Sequence, residues 1–448
     1  MQKEVVVKSS RSSIVAVAAA ITRVIAILSF LCVFNLRPSF AGPIALSFGS
    51  NENGRTGQNT ESGNTLVATP VNTTNLAGVS ILDVDAGGAH SLLLGDNGTV
   101  YSFGISSSTG IDGVFSSVVV PTPINMSNLA GRQVTHISAG TQHSLLLTSD
   151  GSVFSFGSGQ IGRNAANLSE ARMPGMIDTT NLGGRTISQV SAGFLHSLLL
   201  ADDGSVFSFG NNLSGATGRN VSSGSTAIAS PIDATNLAGK TFSQVSAGGE
   251  LSLLLAEDGT VFSFGENDFG QTGLGVDAGD TLIATPIDMT NLADRTITQV
   301  SAGFLFGLLL DSEGQVFCMG AGFLCGLGSG ASNALVATPI DTTNLAGKEI
   351  VQLAAWENHS LLLASDGSVF AFGSNQHGQS GIGTSVGSLA VATPINTQNL
   401  SGLRVIDVDS GYQFGLILAT EVPEPGSFIL SMIAILSCVS LARRNRRC

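Results

Sequence analysis

Short apolar runs fill this chain from Ile44 to Leu418, broken every few residues by Gly, Ser, Thr, Asn or Asp. Some alternate, as in Thr296 to Ala302, and others, such as Leu305 to Leu310, are nearly continuous. Alternation predicts strands buried on one face, and a short continuous run bounded by turn residues predicts a strand covered on both. Tight-turn pairs separate the runs at Asp96-Asn97-Gly98, Asp150-Gly151, Asp203-Gly204, Asp258-Gly259, Glu313-Gly314 and Asp366-Gly367. Glycine there supplies the positive φ a hairpin needs, so this acidic series reads as turn chemistry rather than as metal ligands.

The pattern repeats. A strand ending in Phe-Gly recurs at Gly49, Gly104, Gly157, Gly210 and Gly265, with variants at Gly320 and Gly373. Each unit offers four strands, read in one case as 283–287, 296–302, 305–310 and 315–320. The first unit holds only its fourth strand, Ile44 to Gly49, and the last stops after its third, Phe414 to Leu418. Pairing these two ends closes a ring and leaves no exposed sheet edge at the seam. The expectation is an all-β, seven-bladed β-propeller of four-stranded blades over residues 42–420.

A proline in the first strand of each unit marks the register: Pro70, Pro123, Pro231, Pro286, Pro339 and Pro394, with Met176 in its place once. From each of the first six markers to the next Phe-Gly glycine is 34 residues, whereas the span from glycine to marker is 19 or 21. A fixed frame with one variable loop per blade suits a binding scaffold, because surface loops absorb insertions at little cost. Asn51 to Gly57, Asn211 to Asn220 and Asn267 to Gly273 are rich in groups that can bond sugar hydroxyls and that also form turns. Ala321 to Leu327 is apolar; it either contacts a partner or folds inward.

Composition narrows the function. Charged residues are 11%, too few for long surface helices. Residues 42–420 hold 10 Lys+Arg against 29 Asp+Glu, a formal charge of −19 that repels phosphate backbones and argues against nucleic-acid binding. Of five cysteines, only Cys318 and Cys325 lie in this body, as one disulfide or two free thiols. No closely spaced pairs suggest zinc, and no cofactor motif is present. His90, His143, His196 and His359 share a repeat position with Leu251, Phe306 and Phe414, which points to buried packing against backbone groups. His136, His377 and Trp356 stand alone. No nucleophile elbow fits, since the body offers no helices. Glu52, Glu61, Glu266, Asp268 and Asp277 keep carboxylate catalysis open as the rival expectation.

The ends carry a different chemistry. Residues 1–41 read as a signal peptide: a basic start, the apolar run Val24 to Leu36, and small residues at −3 and −1 of a cut between Ala41 and Gly42. At 421–448, Val422-Pro423-Glu424-Pro425 ends regular structure, Phe428 to Ala442 is mostly apolar, and Arg443, Arg444, Arg446 and Arg447 close the chain. Those 15 apolar residues make about 22 Å of helix against a core of about 30 Å. The arginine cluster keeps its end cytoplasmic, which places the body outside, as the signal peptide also requires.

This three-part tail resembles the PEP-CTERM sorting signal of Gram-negative bacteria. The resemblance implies that the C-terminal helix anchors the protein in the inner membrane until an exosortase cleaves near the motif. It also implies a setting of exopolysaccharide production, at the cell surface or in a biofilm matrix. The repeats in turn resemble the regulator of chromosome condensation family, through Ala192-Gly193 with His196-Ser197-Leu198, Gly265 to Gln271, and Ser374 to Gln379. That family's propellers serve as exchange factors, inhibitors and lectin-like modules, so the resemblance fixes fold and not function. The expectation is a secreted, non-catalytic binding or structural propeller without cofactor, whose partners are exosortase and either exopolysaccharide or a surface protein. A glycan-active enzyme on the variable-loop face and a protein-binding inhibitor or adhesin are the alternatives.

Overall fold

The computed structural model describes residues 42–422, apart from positions 77, 115, 160, 166, 278, 293 and 294. The expected signal peptide with Ala41, the residues Pro423, Glu424 and Pro425, the apolar tail and the four terminal arginines lie outside the described residues.

Seven four-stranded antiparallel sheets follow one another as blades. Blade 5 shows the frame, with Ile297–Ala302, Phe306–Asp311, Val316–Gly320 and Ala334–Pro339 in that order across the sheet. Blades 1 to 4 and 6 begin at Ile81, Val134, Ile187, Phe242 and Ile350. The innermost strands of successive blades lie side by side around a central channel. Blade 7 closes the ring in the order Asn64–Pro70, Ile44–Ser50, Phe414–Glu421, Leu403–Gly411. Its seam pairs Ile44 with Ala419 and Gly49 with Phe414, so the two ends of the repeat meet as their missing strands require.

The blade boundary differs from the sequence expectation by one strand. The proline strand is the fourth and outermost of the preceding blade: Pro286 lies opposite Phe262 and Pro339 opposite Phe317. A residue without an N–H fits an edge, where no further strand asks for a donor. Blade 7 therefore takes two strands from each end of the described chain, rather than one and three. In blade 2, where Met176 replaces the proline, the fourth strand shrinks to Gly175–Met176. The five-residue helix Leu168–Arg172 precedes it, in a body expected to have none.

In blades 1 to 6 the second strand is buried along its whole length, because neighbouring blades cover both its faces. The apolar clusters accordingly straddle pairs of blades, as where Leu308 and Cys318 pack with Leu362 and Phe372. The Phe-Gly motif has a local cause. Gly320 has φ 115°, and a Cβ there would stand 2.3 Å from the Leu305 carbonyl oxygen and 2.7 Å from Phe306 Cα. Only glycine lets the third strand approach the second that closely.

Candidate binding face

Because the strands are antiparallel, the turns joining first to second strands and the variable loops joining third to fourth open on one face. The Asp-Gly turns and the inter-blade segments occupy the other. Asp150, Asp203, Asp258 and Asp366 each accept a backbone N–H two residues on, as turn formers do.

Much of the polarity in the variable loops is used internally. Asn51, Asn212, Asn267 and Asn375 each donate to a carbonyl nine residues on and accept a backbone N–H five residues on. These amides hold their own loops and are not free for a ligand. Ser47, Ser155, Ser208 and Ser263 donate from the third strand to a carbonyl of the same loop. In blade 5 that position is Cys318, and its disulfide to Cys325 ties the loop instead. Of the apolar residues there, Ala321, Leu324 and Cys325 fold inward, and Phe323 stays 57% exposed.

Beside Phe323 the face opens into a cleft of about 420 Å³ between the loops of blades 5, 6 and 7. Its walls include Glu357, Asn358, Gln376, His377 and Gln413. Glu357 and Gln413 both have left-handed backbones, at φ 39° and 62°. Burial pushes the Glu357 carboxyl up to about 7, against the pull of Arg55. Arg55 is itself buried and ties blade 7 to blade 1. It donates to the carbonyls of Gly88 and Tyr412, to Ser50 Oγ and to Glu52, and lies over the Tyr412 ring.

The proposed catalytic carboxylates scatter. Glu52 is paired with Arg55, and Glu61 and Asp277 are exposed in separate loops. Glu266 is pushed up to about 7 by burial and then by Glu250, Asp268 and Asp280. Glu250 in turn accepts from Ser214. Among the described residues no group of three or more His, Cys, Asp or Glu side chains is arranged to hold a metal ion.

The four histidines are buried, as the interchange with Leu and Phe implies, and each bonds a serine side chain, His359 having a backbone partner at Phe414 as well. His90, His143 and His196 bond the hydroxyls of Ser144, Ser197 and Ser252 in the next blade, and His359 bonds Ser410. Burial holds them at about 3 to 4, so they are neutral staples. A second ring lines the channel. Asp85, Ser138, Ser191, Ser246, Ser301 and Asp409 each accept the backbone N–H of the following blade, while the corresponding Ala354 cannot. Asp83 and Asp407 lie nearby at the seam between blades 7 and 1, and burial and then Asp407 push Asp83 up to about 7.

Over residues 44–341 the sequence matches the family described as RCC1-like domain, and RCC1 repeats match at 350–379 and 366–418. The chain belongs to the RCC1-like family. Across 75% of its length it is 31% identical to mouse E3 ubiquitin-protein ligase HERC2, of which the match spans only 7%. It is 28% identical to the Arabidopsis thaliana ultraviolet-B receptor UVR8, over 77% of this chain and 76% of that one. The structure of Saccharomyces cerevisiae Prp20p, a protein with binding properties to Gsp1p and histones, superposes with TM-score 0.75 at 19% identity, over 88% of this chain and 95% of that one. At that identity the likeness concerns the RCC1-like fold alone.

Repeat alignment marks Glu357 and Trp356 as departures, since other blades carry Gly at the Trp356 position. Arg55 was missed; its only sequence signal is being one of few cations in an acidic body.

Proposed function

We propose that this RCC1-like propeller is an exported, non-catalytic binding module that displays its variable-loop face at the cell surface or in an exopolysaccharide matrix. The observation that carries the reading is the contrast between frame and loops. Seven near-identical blades present first-to-second turns of unlike chemistry on one face, from Gly88 and Thr141 to Phe304, Glu357 and Tyr412. RCC1-like propellers typically serve as binding or regulatory domains, and the ligase name attaches to a relative that this chain matches over a small fraction.

In this reading the signal peptide is cut between Ala41 and Gly42, and exosortase acts at the Val422–Pro425 motif. The Arg443, Arg444, Arg446 and Arg447 cluster holds the uncut tail in the inner membrane. The chain leaves blade 7 at Val422, which bonds Gly402 on the face of the Asp-Gly turns. An anchored molecule would thus turn its variable loops away from the bilayer. Among the described residues no helix is long and apolar enough to cross a membrane.

Fractionating tagged protein with and without the host's exosortase, followed by capture of matrix polysaccharide, tests this. Release that depends on exosortase is expected; retention in the inner membrane in both strains would sink the sorting reading. The raised Glu266 beside Glu250 favours a second reading, a glycan-active enzyme, in which Glu266 is the acid. Loss of polysaccharide cleavage in Glu266→Gln would establish it, and absence of any cleavage by the native protein would dismiss it.

A further inference from the structure

The geometry points to the cleft between Phe323 and Gln376 as a binding site for a neutral sugar, which rests on the binding reading above and locates it. Its volume of about 420 Å³ suits one or two sugar rings and lies in the range of small-molecule sites.

Three features select that chemistry. The first is a fixed aromatic surface. Phe323 is 57% exposed, whereas Leu324 beneath it is 1% exposed and the disulfide at Cys325 holds the loop. An aromatic ring held at a wet edge offers its face to the C–H side of a pyranose at little entropic cost. The second is a wall of planar polar groups. Asn358, Gln376 and Gln413 bring amides and Glu357 brings a carboxyl, groups that can each engage neighbouring hydroxyls. Unlike Asn375 and Gln379 in the same blade, which hold their own loop, Gln376 has a side chain that is exposed.

The third is charge. No Lys or Arg lines the cleft, and it holds one carboxyl, in a body of strongly negative charge. Phosphorylated and acidic ligands are therefore disfavoured. A lone carboxyl also fits binding better than hydrolysis, which needs a facing pair. The left-handed backbones of Glu357 and Gln413 add support, since such conformations in residues other than glycine collect at ligand sites. Glu357 directly follows Trp356, where blade 6 carries a residue with a side chain in place of the glycine of the other blades.

The test is titration of the full chain with glucose, galactose, N-acetylglucosamine and their β-linked disaccharides, followed by calorimetry and ligand-observed NMR. Binding to at least one probe is expected, with Phe323→Ala weakening it about tenfold and Gln376→Ala about threefold. Leu82→Ser, on the opposite face, should leave it unchanged. All three substituted side chains are exposed, and an unchanged melting temperature checks the fold of each variant. Sugar binding that survives Phe323→Ala and Gln376→Ala overturns this site while leaving the binding-face reading intact. No binding to any probe also overturns it, and capture of matrix polysaccharide through other loops would then keep the broader reading. Failure of both removes the two together.

Discussion

The Nε2 atom of His143 stands 2.8 Å from the Ser197 hydroxyl of the next blade, and the same staple joins His90 to Ser144 and His196 to Ser252. Where the histidine is missing, its partner position changes, is orphaned, or bonds elsewhere, as Ser91 next to the blade of Phe414 donates to the Arg55 carbonyl. Leu251 faces a blade with Gly307 in place of the serine, and Phe306 leaves the Ser360 hydroxyl buried without a partner. Phe306→His should satisfy that hydroxyl and gain up to about 1 kcal/mol, net of the smaller ring. His143→Leu should lose about 1–3 kcal/mol by orphaning Ser197. Urea melts of both variants check this, and a Phe306→His that melts earlier than the native chain would refute the staple.

Acidity acts on the seam through Asp83. Its folded pKa is raised to about 7, so the folded chain keeps a proton between about pH 4 and 7 that the unfolded chain has already released. Stability from this group is therefore complete in acid and is lost as pH rises through that window. Asp83→Asn should gain roughly 1–2 kcal/mol at pH 8, allowing for partial solvent screening, and nothing at pH 4. Thermal melts at the two pH values read the difference. The buried histidines act in the opposite sense, since their lowered pKa values cost stability as pH falls below about 6.5. A gain from Asp83→Asn that is the same at both pH values would exclude this origin.

Much of the ring was legible because its cause is repeated. The Phe-Gly glycine, the Asp-Gly turns and the two incomplete ends each state a steric or pairing requirement in sequence. The blade boundary was not legible, because a cyclic repeat can be cut at any strand. Only the pairing of Pro286 with Phe262 shows which sheet the proline strand joins. The histidine partners were hidden for a similar reason: the serine of His-Ser-Leu reads as an ordinary strand residue until blades are stacked. The cleft depended on three loops meeting from separate blades. Asn51 and Asn267 illustrate the reverse case, since residue type allowed either sugar contact or turn formation and the loops consume those amides themselves.

Arg55 should behave as the latch of the closing blade. Removing it leaves the Gly88 and Tyr412 carbonyls and Ser50 without their shared donor, all at the seam. Arg55→Ala should cost about 2–4 kcal/mol. Arg55→Lys should recover little, because a point ammonium cannot reach carbonyls on two blades with one planar fork. Full recovery by lysine in denaturant melts would show that charge alone matters there.

The disulfide replaces a hydrogen bond found in four other blades, so its loss should be felt in one loop and not in the ring. Cys318 and Cys325 are separated by seven positions, and closing so short a loop contributes about 2 kcal/mol. The double variant Cys318→Ser/Cys325→Ser should lose about that much and should respond to reductant no further. If the native chain melts at the same temperature with and without reductant, the bond contributes nothing to stability.

The first-strand bulge gives the last and most local test. Thr135, Ser188, Ser243 and Thr298 each stand at that bulge and donate their hydroxyl to the facing carbonyl of Leu147, Leu200, Leu255 or Leu310. The three adjacent blades around the seam carry Val351, Ile406 and Leu82 instead, all exposed. Val351→Thr keeps the shape of the side chain and adds a hydroxyl opposite the corresponding carbonyl of Leu363. It also removes an exposed methyl group from water. Both effects favour the variant, and a gain of about 0.5–1 kcal/mol is expected. Slower exchange of amides in strand His359–Ala364 should accompany it. A loss of stability would mean that the bulge in blade 6 is not equivalent to the other four.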